Sequence, residues 1–443
     1  MTVNSFKVLR VLRSSFWFVP SVMVLGAAAL SVLSIHVDFS VKEDVLRGVG
    51  FIYAGGPEGA RSVLEAIAGS MITVAGVVFS MTVVILSLAS QQFGPRILRT
   101  FIRDRSNQFV LGSFVATFVY CLLVQRTVRG ATEGSTFVPY ISVTVGIALA
   151  VLSIGVLIFF VHHAASSIQA TSIISAVARE LDSAIDRLYP EPIGDPGAHE
   201  EVDIPDPAKG QVVRSRGTGY VQLTDGDEIL HLASASDALI VVVAGPGTFV
   251  TLDDPMARIY ASGGPLPERV VNGVRGAFVV GEHRTEDQDL DFLFRQLTEI
   301  AVRALSTGTN DPFTAIEAVK RVGAALRRLA GRSLPSPIRR DEAGSPRLLV
   351  FPQPFTSIAR DAFGTIRRYA ASSQEVLSEL LRGIRAIAPE LRREEDRIVL
   401  REEASAVLAA SAKWTDDIAR RTIQQEYRTT VDELAGRLAR TEG

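Results

Sequence analysis

The chain contains a single cysteine, Cys121, and it lies within an apolar run. One cysteine excludes a disulfide framework and a cysteine-based metal site. An excess of charge of one sign is also lacking, because the net charge is -2 over 443 residues. No basic block alternates with aromatic residues, so nucleic acid is not an expected partner.

The sequence also lacks the motifs of common enzyme classes. Its six histidines are scattered, and it has no HExxH motif, no P-loop lysine motif and no GxSxG nucleophile motif at a strand-to-helix turn. The acidic segment GEHRTEDQDLD, residues 281–291, offers ligands for hard metals but lacks the spacing of an EF-hand calcium loop. We therefore expect no enzymatic activity, no catalytic residue, no metal site and no cofactor.

The sequence is rich in long uncharged, apolar stretches. From Ala66 to Ser90 no side chain is charged, which is long enough for a helix to cross a hydrocarbon core of roughly 30 Å. Four such runs predict a four-span transmembrane domain in residues 1–163. The predicted spans are about 16–36, 66–90, 108–125 and 138–161. None of them contains Asp, Glu, Lys or Arg, which argues against a proton-coupled pump or a voltage sensor.

The distribution of basic residues predicts the orientation of the spans. Three basic residues precede the first span and four arginines follow the second, whereas the two opposite loops hold five spread over more residues. Because Lys and Arg are enriched in cytoplasmic loops, we expect the N-terminus and everything after residue 163 to be cytoplasmic. The lipid bilayer is then the first expected partner.

Beyond the spans the sequence predicts a cytoplasmic α+β region. Residues 164–189 keep a helical period and predict a membrane-proximal helix that continues the last span, and prolines mark 190–216 as a linker. Short β-like runs separated by Gly, Pro and Asp at 217–285 predict a small module of barrel or sandwich type.

Residues 286–443 predict a helical bundle, interrupted by a proline-containing connector at about 333–354. After the connector, long amphipathic helices are expected at about 355–388, 391–412 and 414–440. The fold class is therefore an α-helical integral membrane protein with a C-terminal cytoplasmic α+β region.

A stripe of polar residues follows one face of the second span at helical spacing. Its members are Ser70, Thr73, Ser80, Ser87 and Gln91. If several subunits placed this helix at a common axis, the hydroxyl groups would offer oxygen contacts to a passing ion, as a conduction path requires. The alternative is that these residues, together with Gly69 and Gly76, only allow helices to pack closely.

Two cytoplasmic features are candidates for ligand contact. Four arginines follow the second span, namely Arg96, Arg99, Arg103 and Arg105. They would form an inner mouth that attracts anions or a patch for acidic lipid headgroups, or they only determine topology. The segment STGTNDP places five polar residues at a predicted helix start: Ser306, Thr307, Thr309, Asn310 and Asp311. Backbone N–H groups there can hold an anion or contact another subunit, or they are satisfied by self-capping.

Five separated segments resemble one known family. They are SSFWFVP at 14–20, FSMTVVILSLASQQFGPRILRTFIRD at 79–104, NQFVLGSFVATFVY at 107–120, HHAASSIQ at 162–169 and LSTGTNDPFTA at 305–315. They are similar to a bacterial family of predicted membrane proteins defined by a domain of unknown function. The resemblance implies four spans and a location in the bacterial plasma (inner) membrane, and it implies no activity.

These features favour a homo-oligomeric, channel-like protein for an ion or small anion, regulated by its cytoplasmic region. Four spans leave little room for a pore within one subunit, so this function requires a closed ring of subunits. The alternative is a non-conducting, membrane-anchored sensor or scaffold. The position of the polar stripe distinguishes the two hypotheses. A stripe that faces a dry interface within one subunit favours the scaffold, and a stripe that faces an axis shared by several subunits favours the channel.

Overall fold

The computed structural model describes residues 17–40, 53, 55–93, 105–130, 137–167, 169–190 and 205–436. They fall into two compact units. The N-terminal unit lies within residues 4–169 and the C-terminal unit within residues 170–443.

Four long apolar helices form the N-terminal unit. They are α1 (Phe18–Ser40), α2 (Pro57–Phe93), α3 (Arg105–Gln125) and α4 (Tyr140–Ser167). Each is long and apolar enough to cross a membrane. The prediction of four apolar helices of spanning length is confirmed.

Helix α3 is the centre of this unit, because it packs against α1, α2 and α4. Its side chains Phe114, Tyr120 and Cys121 are fully buried. Helix α2 meets its neighbours through one narrow stripe at intervals of three and four residues. The stripe consists of Ala60, Leu64, Ala68, Met71, Ala75, Val78, Thr82, Ile85 and Ala89. Most of the remaining surface of α2 is exposed within the unit.

A buried carboxylate ties α1 to the start of α4. Asp38 accepts hydrogen bonds from the backbone N–H of Ile141 at 2.8 Å and from the N–H and hydroxyl of Ser142 at 2.9 and 2.6 Å. It thereby caps orphan donors in the first turn of α4 from another helix. The predicted first span ended at residue 36, so this charged residue was expected outside the helix. It is buried, and it belongs to α1.

The C-terminal unit contains two open sheets. Their strands are β1 (Gln211–Arg214), β2 (Gly219–Thr224), β3 (Ala238–Val242), β4 (Phe249–Val250), β5 (Pro255–Ala261), β6 (Phe278–Gly281), β7 (Ile338–Arg340) and β8 (Pro346–Leu349). The larger sheet has the order β1-β5-β3-β8-β7, in which β3 and β8 run parallel, and the smaller has the antiparallel order β4-β2-β6. Neither sheet closes on itself in the described residues. The prediction of a barrel is therefore wrong.

Two short helices that the sequence analysis missed explain the difference. Helix α6 (Gly226–Ala235) follows β2, and α7 (Glu268–Gly276) precedes β6. Their apolar residues Ile229 and Val274 share one buried core with both sheets. In this unit α6 and α7 cover the apolar faces of the sheets, whereas a closed barrel would bury those faces in its own interior.

Helices make up most of the remaining C-terminal unit. They are α5 (Ala170–Leu188), α8 (Leu290–Ala304), α9 (Pro312–Ala330), α10 (Phe355–Tyr369), α11 (Gln374–Ile387), α12 (Glu394–Ser411) and α13 (Asp417–Ala435). Helix α5 packs against α8 and α9, and α9 packs against α11. This forms the core of a helical layer. Helix α4 ends at Ser167 and α5 begins at Ala170, so two helices stand where one continuous helix was expected.

Two boundaries in this region differ from the predictions. The connector expected at 333–354 contains β7 and β8. The single helix expected at 355–388 is two helices, because the chain turns after Tyr369 and Ser373 then caps α11 through the N–H of Val376.

Candidate functional site

The polar stripe of α2 lies on a face of the helix that is exposed within the N-terminal unit. Its members Ser70, Thr73, Ser80, Ser87 and Gln91 are all exposed within the unit. The hydroxyl of Ser70 donates to the carbonyl of Ala66 at 2.7 Å, and that of Thr73 donates to the carbonyl of Gly69 at 2.8 Å. These hydroxyl donors are satisfied within the helix while oxygen lone pairs stay free. The stripe is therefore not part of a dry interface between helices of the same subunit.

Two glycines extend this face between the hydroxyl residues. A Cβ atom added at Gly69 or at Gly76 would meet nothing within 4 Å, so neither glycine is needed for packing inside the subunit. Together with Thr73 and Ser80 they form small-xxx-small spacings, which let two membrane helices approach closely. The open face of α2 thus has the composition of a helix contact, and no described helix of the N-terminal unit packs on it.

The predicted basic mouth is only partly described. Arg96, Arg99 and Arg103 lie outside the described residues. Arg105 begins α3 and is exposed. That the four arginines lie close together at an inner mouth stays a prediction.

The turn from Ser306 to Asp311 caps itself. The carboxylate of Asp311 accepts hydrogen bonds from the N–H groups of Phe313 and Thr314, each at 3.1 Å, and from the Thr314 hydroxyl at 2.6 Å. The Thr314 hydroxyl, ahead of the backbone donors, lowers the pKa of Asp311 below its ordinary value. The donors at the start of α9 are therefore partly occupied by Asp311 itself. A ligand at this turn stays a prediction.

The remaining members of the turn shape it. Asn310 has a φ of 46°, in the left-handed region that asparagine tolerates better than most residues. Ser306 donates to the hydroxyl of Thr309 at 3.4 Å, and Thr307 is exposed. Next to them, Phe313 is 80% exposed. This aromatic side chain is the feature that best fits the predicted subunit contact.

The acidic segment before α8 is organised by an arginine. Arg284 contacts Asp289 at 2.6 Å and Asp291 at 2.9 Å, and Asp289 also caps α8 through the N–H of Phe292 at 3.1 Å. Within the part of the chain that the structure describes, no group of three or more His, Cys, Asp and Glu side chains is placed to hold a metal ion.

A cleft of about 640 Å³, which we call the C-terminal cleft, was not found from the sequence. It lies where β2 leads into α6 and where β3 and β8 end. Its polar lining comprises Thr224, Asp225, Asp227, Thr248, Gln288, Ser336, Arg339 and Gln353, and its aromatic lining comprises Tyr189 and Phe351. Clefts at the carboxyl ends of strands are common ligand sites in sheets with parallel pairs.

Hydrogen bonds fix one wall of this cleft. The side chain of Gln288 accepts from the N–H of Thr224 at 2.9 Å and donates to its carbonyl at 3.1 Å. The hydroxyl of Tyr189 donates to the carbonyl of Gln353 at 2.7 Å. Burial raises the pKa of Tyr189 to about 12, so this hydroxyl keeps its proton at neutral pH.

Two polar groups of the cleft have spare hydrogen-bonding capacity. Thr224 is only 7% exposed, and its buried hydroxyl oxygen has no hydrogen-bond partner among the described residues. Arg339 is exposed and forms no ion pair within the described residues. A buried hydroxyl without a partner is uncommon, because losing water without a replacement bond costs about 1–3 kcal/mol. The chemistry fits a small polar ligand.

An N-terminal unit of four apolar helices, followed in the chain by an α+β unit, is typical of a multi-pass membrane protein. A family model described as "Predicted membrane protein (DUF2254)" matches residues 13–386. The chain belongs to this family. The match includes α1 to α11 and leaves α12 and α13 outside.

Similar proteins occur in mycobacteria. An uncharacterized protein of Mycobacterium bovis and one of Mycobacterium tuberculosis are each 35% identical to this chain over 424 residues, which is 93% of this chain and 79% of each relative. No solved structure matches. Both relatives are described as uncharacterized, so they supply no activity.

Proposed function

We propose that the protein is a multi-pass protein of the bacterial plasma membrane, with its N-terminus and its C-terminal unit in the cytoplasm. The four apolar helices supply the spans, and an even number of spans returns the chain to its starting side. The excess of basic residues before α1 and between α2 and α3 supports this orientation.

Within the membrane, the protein is a homo-oligomer with a channel-like path formed by α2 helices around a shared axis. One observation carries this proposal: Ser70, Thr73, Ser80, Ser87 and Gln91 all lie on the open face of α2. A monomer would expose this face to lipid, whereas a ring would use the small residues for close approach and the hydroxyl oxygens for contact with an ion.

Packing within one subunit supports a path between subunits. The interior of the helix bundle is filled by large buried side chains, among them Phe114, Tyr120 and Phe160. Closely packed interiors leave no continuous space for an ion. The path must then lie between copies of the chain.

The C-terminal unit regulates this path in the proposal. Arg96, Arg99, Arg103 and Arg105 follow α2 in the chain and would surround its cytoplasmic mouth, where their charge raises the local concentration of anions. The C-terminal cleft is the candidate site for a regulatory small molecule, since Thr224 and Arg339 have free hydrogen-bonding capacity there. We expect no enzymatic role.

Ion flux from liposomes that contain the purified protein tests the path. Leucine at Ser80 and Ser87 would fill the proposed lining with apolar side chains, so the double variant Ser80→Leu/Ser87→Leu should abolish flux. The matched control is Ala148→Leu/Gly155→Leu, which places two leucines on the exposed surface of α4. The control should conduct like the parent, and equal loss in both variants would contradict the assignment to α2.

The second candidate is a non-conducting, membrane-anchored sensor, and the C-terminal cleft favours it. In that case the open face of α2 serves only for packing. Absence of flux from the parent in several salts, combined with binding of a small molecule that Thr224→Val weakens, would support the sensor and count against the channel.

A further inference from the structure

Three arginines share one pocket at the end of the apolar bundle opposite Arg105. The pocket, which we call the arginine pocket, has a volume of about 650 Å³. Its lining consists of Arg61, Leu122, Gln125, Arg126, Val128 and Arg129. Arg105 begins α3 and Arg126 directly follows its last residue. The pocket and Arg105 are thus separated by the length of this helix.

Specific hydrogen bonds build the pocket. The guanidinium of Arg61 donates to the carbonyl of Val128 at 2.8 Å, which joins the first turns of α2 to the segment after α3. Arg129 and Phe137 exchange two backbone hydrogen bonds, at 3.0 and 3.1 Å. Phe137 in turn stacks on Phe39 of α1, with 4.3 Å between ring centroids. The backbone positions of the arginines are therefore set by the fold.

Among the described residues, none that lines the arginine pocket is acidic. Glu58 and Glu65 lie about one turn before and after Arg61 on α2 and do not line it. Arg126 and Arg129 are exposed and form no ion pair within the described residues. The partial negative charge at the C-terminus of α3 favours a cation nearby, but a helix end carries only about half an elementary charge and does not balance the two guanidinium groups of Arg126 and Arg129.

We propose that the arginine pocket binds a phosphate group. The planar guanidinium presents paired N–H donors that match phosphate oxygens, and converging arginines stabilise the charge of a phosphate better than a single cation does. Leu122 adds an exposed apolar surface beside the cationic groups. This arrangement takes either the headgroup phosphate of a phospholipid or a free phosphate anion. Binding here does not depend on the channel proposal.

Two titrations of the full-length protein in detergent test this site and separate the two sources. The first adds inorganic phosphate at constant ionic strength and follows the thermal unfolding temperature. The second adds phosphatidylglycerol, with diacylglycerol as the phosphate-free comparison, and counts retained lipid by native mass spectrometry. The test variant is Arg126→Gln/Arg129→Gln, which leaves Arg61 and its bond to Val128 intact. The matched control is Arg179→Gln/Arg392→Gln, which removes two exposed arginines from the C-terminal unit.

We expect the test variant to weaken binding roughly tenfold or more, since it removes two charge-assisted contacts, and the control to bind like the parent. Retention of phosphatidylglycerol over diacylglycerol identifies a lipid headgroup, whereas stabilisation by inorganic phosphate without lipid retention identifies the free anion. If the parent and the test variant bind both ligands equally, the proposal is overturned.

A second pair of variants covers the case in which the double variant does not fold. Arg126→Lys and Arg129→Lys keep the charge but lose the paired donors of the guanidinium. Each should weaken phosphate or phosphatidylglycerol binding severalfold. Affinities equal to those of the parent would overturn the proposal.

Discussion

Asp38 shows how one side chain can connect two distant parts of the membrane sequence. Its three hydrogen bonds to Ile141 and Ser142 satisfy donors at the start of α4, and Tyr120 donates to the carbonyl of Ser142 at 3.0 Å and contacts the hydroxyl of Ser34 at 2.9 Å. The resulting network joins α1, α3 and α4. In apolar surroundings such a network stabilises one arrangement, because every broken bond leaves a buried polar group without a partner.

Replacing Asp38 by alanine should therefore destabilise the N-terminal unit. We expect a loss of roughly 2–3 kcal/mol, since a helix cap and its buried donors are affected together. Thermal unfolding of the full chain in detergent measures it. Asp38→Asn keeps one acceptor oxygen and should lose less, and Ser40→Ala, at the exposed end of the same helix, is the control. An alanine variant as stable as the parent would show that the cap contributes nothing.

The cap at Asp311 predicts a dependence of stability on pH. Its pKa is lowered in the folded protein, chiefly by the Thr314 hydroxyl. The carboxylate therefore stabilises the fold above its ordinary pKa of about 4, and this stabilisation is lost as the pH falls through the lower folded-state value.

Comparison of the parent with Asp311→Ala tests this sign. The parent should be more stable by about 1 kcal/mol at pH 7, and the difference should narrow below about pH 4. Unfolding of the full chain across this range provides the measurement, with the exposed Glu342→Ala as control. A difference that grows as the pH falls would contradict the assignment.

These two acids also show which residues a sequence can predict. Asn310, Asp311 and Pro312 form a local signal for a helix start, and the structure has Asp311 as the cap. Asp38 has no local signal, because its partners lie 103 and 104 residues later in the chain. The hydropathy pattern placed the end of the first span before Asp38, because a hydropathy scale treats every carboxylate as unfavourable in a membrane helix. Such a scale takes no account of hydrogen-bond partners elsewhere in the chain.

At the scale of elements, length and apolarity were sufficient for the four membrane helices and insufficient for the C-terminal sheets. Two of the short β-like runs within residues 217–285, GYVQLT and ALIVVVA, correspond to β2 and β3. However, α6 between them has only 10 residues, too few for a helical period to stand out. The strands β7 and β8 have 3 and 4 residues and lie among prolines. β8 pairs with the neighbouring β7 and also with β3, which lies more than 100 residues earlier in the chain.

The two faces of α2 could be predicted only in part. The spacing placed the hydroxyl residues on one face, but it did not show whether that face is buried against α3 or open. Burial of Leu64, Met71 and Val78 on the other face decides this. Which face of α2 is buried depends on packing against helices that are distant in sequence. The sequence of one span alone does not contain this information.

Cross-linking along α2 tests whether this open face meets another copy. Cys121 is the only cysteine, so a Cys121→Ala background allows single cysteines at Thr73, Ser80 and Ser87. Identical residues from two copies come within disulfide distance only close to a symmetry axis. Oxidation in membranes should therefore give cross-linked dimers at these three positions.

Exposed positions on other helices provide the controls for this experiment. Val32→Cys on α1 and Ile158→Cys on α4, both 68% exposed, should stay monomeric on a denaturing gel. Cross-links at the control positions alone would move the axis to α1 or α4 and remove the basis for the path along α2.

At the scale of the whole molecule, the two units carry different kinds of sequence information. The helices of the N-terminal unit are long and apolar, as a bilayer requires. Composition alone was therefore sufficient to predict four helices of spanning length. The C-terminal unit is defined by non-local strand pairing and helix packing, so composition predicted an α+β region but the wrong β architecture. The arginine pocket and the C-terminal cleft both form where distant segments meet, which is why neither was predicted.

The orientation of the whole chain is the prediction on which the remaining roles depend. The proposed topology places the start of α2 outside the cytoplasm and the C-terminal unit inside. On the Cys121→Ala background, Glu58→Cys at the exposed start of α2 should react with a membrane-impermeant maleimide in intact spheroplasts. Ser372→Cys, exposed in the C-terminal unit, should react only after the membrane is permeabilised. The reverse pattern would place the C-terminal cleft outside the cell, where it could not regulate from the cytoplasm, and the arginine pocket inside. Labelling of both positions in intact spheroplasts would mean that an even number of helices, and not the proposed three (α2, α3 and α4), spans the bilayer between them.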